Sequence, residues 1–161
     1  MTAALWDALP SSLARLHVSD RCSLGSLAKP NLRLVLSRYA PVTGLSLLAL
    51  NLGSLACRIG DLQDWNSLSN LLRLRRFLVQ IDRKLTKGPA LLSLDALPAS
   101  LSFLSLRTSG SLVGSRRLAN LCSCYLHKAP VPRLAALAPN LELLCLHDWL
   151  ETSTTALPAS L

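Results

Sequence analysis

The chain has 161 residues, half of them hydrophobic, and a formal net charge of +8. A disordered chain would be far less apolar, so these values predict one compact domain with a substantial core. Leucine is by far the commonest residue, whereas valine and isoleucine are scarce. This imbalance argues against a β-sandwich or a doubly wound sheet, because both folds draw on β-branched residues. Aromatic residues are too few, at 4%, to predict stacking platforms for single-stranded nucleic acid.

Residues 1–15 lack both a basic region and an unbroken apolar run, so a secretory signal is not expected there. The uncharged stretch 39–57 reaches membrane-spanning length, but Pro41, Gly44 and Asn51 interrupt it and argue against a span. The five cysteines include no CxxC pair, so they predict neither a disulfide framework nor a zinc ribbon. Free thiols of this kind favour an intracellular protein, cytoplasmic or nuclear.

A leucine pattern repeats along the chain. The segment 97–106, LPASLSFLSL, matches LPSSLARLHV at 9–18, and LAPNLELLCL at 137–146 keeps the same leucine spacing. We call the leucine that opens each LxxLxL unit its anchor. The anchors are Leu13, Leu32, Leu52, Leu74, Leu101, Leu121, Leu141 and Leu161. The last three intervals between anchors are equal, and the one that ends at Leu101 is the longest, so the spacing indicates a structural repeat.

The LxxLxL unit has a specific physical meaning at this period. Residues two apart in an extended segment point to the same side, so Leu104 and Leu106 are expected to enter one core while Ser105 faces outward. One unit cannot bury its own apolar face, and stacked neighbours can, which is why several repeats are needed.

These units resemble the leucine-rich-repeat family, in its short and irregular form of about twenty residues. The resemblance covers nearly the whole chain and implies an α/β fold, a right-handed solenoid with a concave parallel sheet and short irregular convex segments. A leucine-rich α-helical bundle is the alternative, because stretches such as Ser67–Val79 are also compatible with helix. We expect a single solenoid over residues 1–161. It is expected to be a fragment of a longer array, because no polar cap precedes Leu9 and the unit at Leu161 stops midway.

The chain departs from the family at one position of each repeat. The family carries Asn three residues after the second strand leucine, where its side chain bonds to backbone groups in the bend. The residues found there are Arg21, Ala40, Gly60, Asp82, Ser109, Ala129 and Trp149. We therefore expect the backbone groups of these bends to find other partners.

The register of the anchors predicts which side chains face outward from the sheet. The column that follows the second strand leucine is mostly cationic, and the two other outward columns mix apolar and polar residues. This combination fits a protein partner with an apolar centre and an acidic rim, and Arg and Tyr are frequent at interface centres. The predicted partner-binding residues are Arg38, Arg58, Arg107, Tyr125, His127 and His147.

A second cationic feature lies between residues 73 and 87. Its basic residues are Arg73, Arg75, Arg76, Arg83, Lys84 and Lys87. Such a run is usually a solvated surface, and its alternative interpretation is electrostatic binding of nucleic acid or an anionic membrane. Phe77 is the only aromatic residue within the run and is assigned to the core, so aromatic stacking with bases is not predicted.

The sequence contains no recognised catalytic motif, neither HExxH nor GxSxG nor a glycine-rich phosphate loop. His127, His147 and Cys145 share one predicted face, and they are interpreted as ordinary surface residues rather than zinc ligands. We therefore expect a non-enzymatic interaction module, without metal or cofactor, that serves as an adaptor or in substrate recognition.

Overall fold

The structure is a computed structural model of the chain, and it describes residues 9–17, 22–23, 32–43, 51–60, 62–81, 91–108, 110–128 and 138–148. Eight strands form one sheet. These are β1 (Arg15–His17), β2 (Cys22–Ser23), β3 (Leu34–Thr43), β4 (Ser54–Ile59), β5 (Arg76–Ile81), β7 (Phe103–Arg107), β9 (Ser123–His127) and β10 (Leu143–His147). The remaining strands, β6 (Leu91–Ser93) and β8 (Ser111–Val113), form a separate two-stranded sheet.

All strand pairs in the described residues are parallel. The large sheet follows chain order, β1-β3-β4-β5-β7-β9-β10. The first part of β3 pairs with β1, and its last two residues pair with β2. Helical structure in the described residues is limited to α1 (Leu62–Asn66) and two 3-10 helices, Ser67–Asn70 and Leu94–Ala96. This architecture is compatible with the α/β class. The alternative of a leucine-rich helical bundle is wrong, because the strand β5 already begins within the stretch that was compatible with helix.

The strand register agrees with the leucine spacing. Leu104 pairs with Phe77 on one side and with Cys124 on the other, and Leu106 is the next inward residue of the same strand. Leu104 and Leu106 are buried, whereas Ser105 between them is partly exposed. One face of the sheet therefore belongs to the core and the other, which we call the outer face, is open to solvent.

A hydrogen-bonded turn leads into the strands. The backbone N–H of the anchor donates to the carbonyl three residues earlier, at 2.9–3.3 Å, and this turn is described before Leu13, Leu74, Leu101, Leu121 and Leu141. The backbone carbonyl of the residue that follows the anchor accepts hydrogen bonds from two successive N–H groups of the next repeat. Arg75, for example, accepts from Ser102 and Phe103, both at 2.9 Å. The longest anchor interval, which separates Arg75 from Ser102, thus preserves the same connection as the shorter intervals.

Side chains just before the anchors also join neighbouring repeats. The Asn120 amide donates to the carbonyl of Ala99 at 2.9 Å, and the Asn140 amide donates to the carbonyl of Ala119 at 2.8 Å. The Ser100 hydroxyl donates to the carbonyl of Leu74 at 2.8 Å. These polar side chains lie one residue before the anchor and act on the turn that precedes each strand. The bend positions Asp82, Ser109, Ala129 and Trp149, where the family places Asn, lie outside the described residues.

The register shifts once, in β3. Ser37 pairs with Cys57, but the next pair joins Pro41 to Arg58, so three extra residues lie on β3 between the two pairs. Proline has no N–H to donate to the ladder, and such residues are confined to edges or bulges. Arg38 and Arg58 each follow the second inward residue of their repeats, so the anchors predict that they pair. This prediction is wrong, because Arg58 pairs with Pro41 instead. Nothing further is described of the Arg38 side chain.

The second sheet and α1 cover the other side of the core. Leu92 of β6 and Leu112 of β8 are buried in the same cluster as the inward residues of the large sheet. Trp65 of α1 is fully buried, and its Nε1–H donates to the carbonyl of Ser93 at 2.8 Å. This hydrogen bond satisfies the indole in an apolar environment and fixes α1 against β6.

The connection after β8 depends on a carboxylate and a glycine. Asp95 Oδ1 accepts hydrogen bonds from the backbone N–H groups of Ser115, at 2.9 Å, and Arg116, at 2.5 Å. Gly114 has a φ of 145°, and a Cβ there would lie 3.0 Å from Asp95 Oδ1 and 3.1 Å from Leu94 Cβ. Both the backbone conformation and the close approach therefore require glycine.

Within the described ranges, we find no helix with the length and hydrophobicity that crossing a membrane requires. The uncharged stretch at 39–57 contains the end of β3 and the beginning of β4 in those ranges.

Candidate functional site

The outer face of β5, β7, β9 and β10 brings side chains from four repeats together. Side chains alternate across a strand, so each of these strands presents every second residue to this face. The outward residues of the last three strands are Phe103, Ser105, Arg107, Ser123, Tyr125, His127, Leu143, Cys145 and His147. Because the strands are in register, these residues form three columns across the sheet, as the anchors predicted.

An aromatic cluster lies at the centre of this face. The Phe103 and Tyr125 rings have centroids 5.4 Å apart and are tilted by 36°. The guanidinium carbon of Arg76 lies 5.2 Å from the centroid of the Phe103 ring. Tilted aromatic pairs are worth about 0.5–1.5 kcal/mol beyond their buried area, and an exposed cation–π contact about 0.5–1 kcal/mol. We call Arg76, Phe103 and Tyr125 the aromatic cluster.

A shallow depression of about 200 Å³ adjoins the cluster. Ala56, Leu78, Gln80 and Ser105 line it, and Ser105 pairs with Tyr125 of the cluster. The small side chains of Ala56 and Ser105 leave this space above the sheet, beside the larger rings. The outer face therefore offers an aromatic pair and, beside it, a shallow depression, and another protein surface can complement such a shape.

The cationic column is in register from Arg58 onward. Arg58 pairs with Gln80, Gln80 with Arg107, and His127 with both Arg107 and His147. Arg107 and His147 are exposed, whereas Arg58 and His127 are partly buried. This column borders the aromatic cluster along the carboxyl ends of the strands.

Two histidines end this column. The His127 and His147 rings lie 6.2 Å apart with an interplanar angle of 26°. Asp148 follows His147, and its Oδ2 lies 3.6 Å from His127 Nε2 and 3.9 Å from Lys128 Nζ. Since the Asp148 side chain is 64% exposed, solvent screens both contacts and each contributes little to stability.

The histidines and cysteines form no metal centre in the described part of the chain. Cys145 pairs with Tyr125 and lies two residues before His147, but no group of three His, Cys, Asp or Glu side chains is close enough to hold a metal ion there. Cys124 points to the opposite side and is buried, and this burial raises the pKa of its thiol to about 12. A thiol held in the protonated form is a poor nucleophile, so Cys124 has the properties of a core residue.

The structure unites most of the predicted partner-binding residues on one face. Arg58, Arg107, Tyr125, His127 and His147 all lie on the outer face. The Arg38 side chain lies outside what the structure describes. The prediction passed over Arg76, Phe103 and Leu143 as partner-binding residues, although Leu143 is 43% exposed. Their outward column was evident from the anchors, but the contact between Phe103 and Tyr125 depends on side-chain direction.

The basic run divides into separate parts. Arg73 and Arg75 are exposed at the amino-terminal edge of the sheet, while Arg76 belongs to the aromatic cluster. Arg83, Lys84 and Lys87 lie outside the described residues.

No protein-family model matches this chain, and no curated protein sequence matches it.

Proposed function

We propose that the chain is a non-enzymatic protein-interaction module that binds a protein partner through the outer face. The aromatic cluster carries this proposal. Phe103 and Tyr125 are large, only partly buried and held against each other at 5.4 Å on adjacent strands. Aromatic and arginine side chains in such a position are the residue types that dominate interface energies.

We also propose that the repeats form a leucine-rich-repeat solenoid. After the anchor Leu101, the chain forms β7 in the large sheet and then β8 in the small sheet. After the next anchor, Leu121, it returns to the large sheet as β9. On the other side of the core, β6 of one repeat pairs in parallel with β8 of the next, just as β5 pairs with β7 in the large sheet. A coil whose successive turns contribute one strand to each side explains both sheets and the single contiguous core.

The charges beside the aromatic cluster specify the partner's chemistry. Arg76 within the cluster and Arg107 in the neighbouring column are cationic, and His127 and His147 continue that column. Asp148 is a carboxylate that contacts His127 there. A partner with an apolar or aromatic centre and an acidic rim complements this surface. A face built on strands needs little ordering when it binds, and this property suits an adaptor or a substrate-recognition module.

Site-specific photocrosslinking tests the proposal. A photoreactive phenylalanine analogue replaces Tyr125 in the protein expressed in cells, and the matched control replaces Arg117, which is exposed and lies outside the outer face. We expect a discrete protein adduct from position 125 and none from position 117. The same adducts from both positions, or none from position 125, would contradict the proposal.

Salt dependence separates this function from electrostatic binding of nucleic acid or membrane through residues 73–87. A phosphate-binding surface loses affinity steeply as salt rises, in proportion to the number of phosphates neutralised. An interface centred on Phe103 and Tyr125 should lose much less. We expect the crosslink at position 125 to persist at about 0.3 M salt, and its loss there would favour the electrostatic function.

A further inference from the structure

A cleft of about 510 Å³ opens at the amino-terminal edge of the large sheet. Three arginines from two repeats line it, Arg33 ahead of β3 and Arg73 and Arg75 ahead of β5. Asn51, Gly53 and Ser100 line the rest of its polar side, and the exposed Leu72 is the apolar residue of the lining. No aspartate or glutamate lines this cleft in the described part of the chain.

Gly53 creates the space between the arginines. Its N–H donates to the carbonyl of Arg33, and its own carbonyl accepts from Arg75, so Gly53 occupies the repeat between theirs. The backbone there does not require glycine, because its φ is outside the left-handed region and a Cβ would meet only the Arg33 carbonyl at 3.7 Å. A side chain at this position would instead fill the cleft between Arg33 and Arg75.

The three guanidinium groups lack a countercharge within the described residues. Arg33, Arg73 and Arg75 are all exposed, and no carboxylate of the described residues forms an ion pair with their side-chain nitrogens. Like charges that share a cleft repel one another, and an anion placed among them removes this repulsion. Arginine also presents paired N–H donors that match the oxygens of a phosphate group.

We propose that this cleft binds a phosphate monoester, with Arg33 and Arg75 on either side of Gly53 as the principal ligands and Arg73 as the third cation. The proposal goes beyond the protein-binding function and does not depend on it, because the cleft and the aromatic cluster share no residue. The phosphate belongs either to a small phosphorylated molecule or to a phosphorylated side chain of a protein.

Titration with inorganic phosphate, followed through the Nε–Hε signals of the arginines by nuclear magnetic resonance, tests the proposal. We expect saturable shifts with a Kd of about 1 mM, the range for a small ligand held by few contacts. Gly53→Leu and Arg33→Gln should each raise the Kd at least about tenfold, which corresponds to about 1.4 kcal/mol. Arg117→Gln removes the same charge elsewhere and should change the Kd less than about twofold.

A second titration with a phosphoserine tripeptide distinguishes the two sources. Tighter binding of the tripeptide than of inorganic phosphate assigns the site to phosphorylated proteins, and equal binding assigns it to small molecules. Shifts that do not saturate, equal losses in Arg33→Gln and Arg117→Gln, or an unchanged Kd in Gly53→Leu would overturn the proposal. If Gly53→Leu does not fold, as judged by its thermal unfolding, Arg33→Gln and Arg75→Gln decide the result, since both residues are exposed.

Discussion

The side-chain amide of Asn120 donates a hydrogen bond to the backbone carbonyl of Ala99, which lies two residues before the anchor of the preceding repeat. Asn140 makes the same bond to Ala119, one repeat further along the chain. Each asparagine thus joins its own turn to the turn of the preceding repeat. Asn31 and Asn51 occupy the same position before their anchors, so the sequence repeats this feature even where the anchor interval differs.

Replacement of these asparagines tests their contribution to stability. Asn120→Ala and Asn140→Ala should each lower the free energy of unfolding by about 1 kcal/mol, because each leaves a backbone carbonyl without its protein donor. Asn70→Ala is the matched control, since the Asn70 side chain is exposed and forms no such bond within the described ranges. Denaturant unfolding measures all three variants. A loss in Asn70→Ala equal to that in Asn120→Ala would show that the bonds to Ala99 and Ala119 have no structural role.

Two glycines should respond to alanine in opposite ways. Gly114→Ala should lower the free energy of unfolding by more than about 1 kcal/mol, because φ is 145° and the new Cβ would approach Asp95 Oδ1 to 3.0 Å. Gly53→Ala should be neutral or stabilising by up to about 1 kcal/mol, because the backbone accepts a side chain and the unfolded chain loses freedom. Thermal unfolding of both variants provides the measurement. Equal destabilisation by the two substitutions would contradict the geometry described for them.

The cysteines should differ in reactivity with a maleimide reagent. Cys57 and Cys124 are buried, whereas Cys122 and Cys145 are partly exposed. In a Cys22→Ser background at neutral pH, we expect rapid labelling of Cys122 and Cys145 and labelling of Cys57 and Cys124 only on unfolding. Peptide mass spectrometry assigns each label. Labelling of Cys124 as fast as Cys122 in the folded protein would show that this strand face is not buried.

The Cys124 thiol should also make stability depend on pH. Burial raises its pKa to about 12, from 9.0 for an ordinary thiol. The unfolded chain therefore releases this proton first, and the stability present below about pH 9 is lost as pH rises toward about 12. In Cys124→Ala, the free energy of unfolding should fall less steeply between about pH 9 and 11, by about 1 kcal/mol per pH unit. Parallel stability curves for the two proteins would contradict the assigned pKa.

Much of the large sheet could be predicted from leucine spacing. Alternation in an extended segment places Leu104 and Leu106 in the core and Phe103 outside, and the anchors then align the strands. The bulge in β3 could not be predicted, because the anchor interval does not reveal extra residues that lie within a strand without a partner in the neighbouring strand. The second sheet was missed as well, since β6 and β8 are only three residues long each and carry no repeat signature of their own.

The candidate site was predictable as a column but not as a cluster. Tyr125, His127 and His147 were identified by their outward positions, whereas Phe103 was passed over. Phe103 pairs directly with Ser123, and its ring reaches diagonally to Tyr125. Diagonal neighbours are within reach of aromatic side chains, but which rotamer each adopts depends on the packed neighbours rather than on spacing. The cleft around Gly53 could not be predicted either, because it forms where a residue without a side chain lies between two arginines of the flanking repeats.

The comparison of Phe103→Ala with Leu104→Ala tests the central claim most directly, because these consecutive residues of β7 face opposite sides of the sheet. Leu104→Ala should lower the free energy of unfolding by about 2–5 kcal/mol, whereas Phe103→Ala should lower it by about 1 kcal/mol. The protein captured at position 125 should bind Phe103→Ala about 30-fold more weakly than the unmodified chain, which corresponds to about 2 kcal/mol. Unchanged affinity for Phe103→Ala, with its fold intact, would contradict the assignment of the outer face as the protein-binding surface.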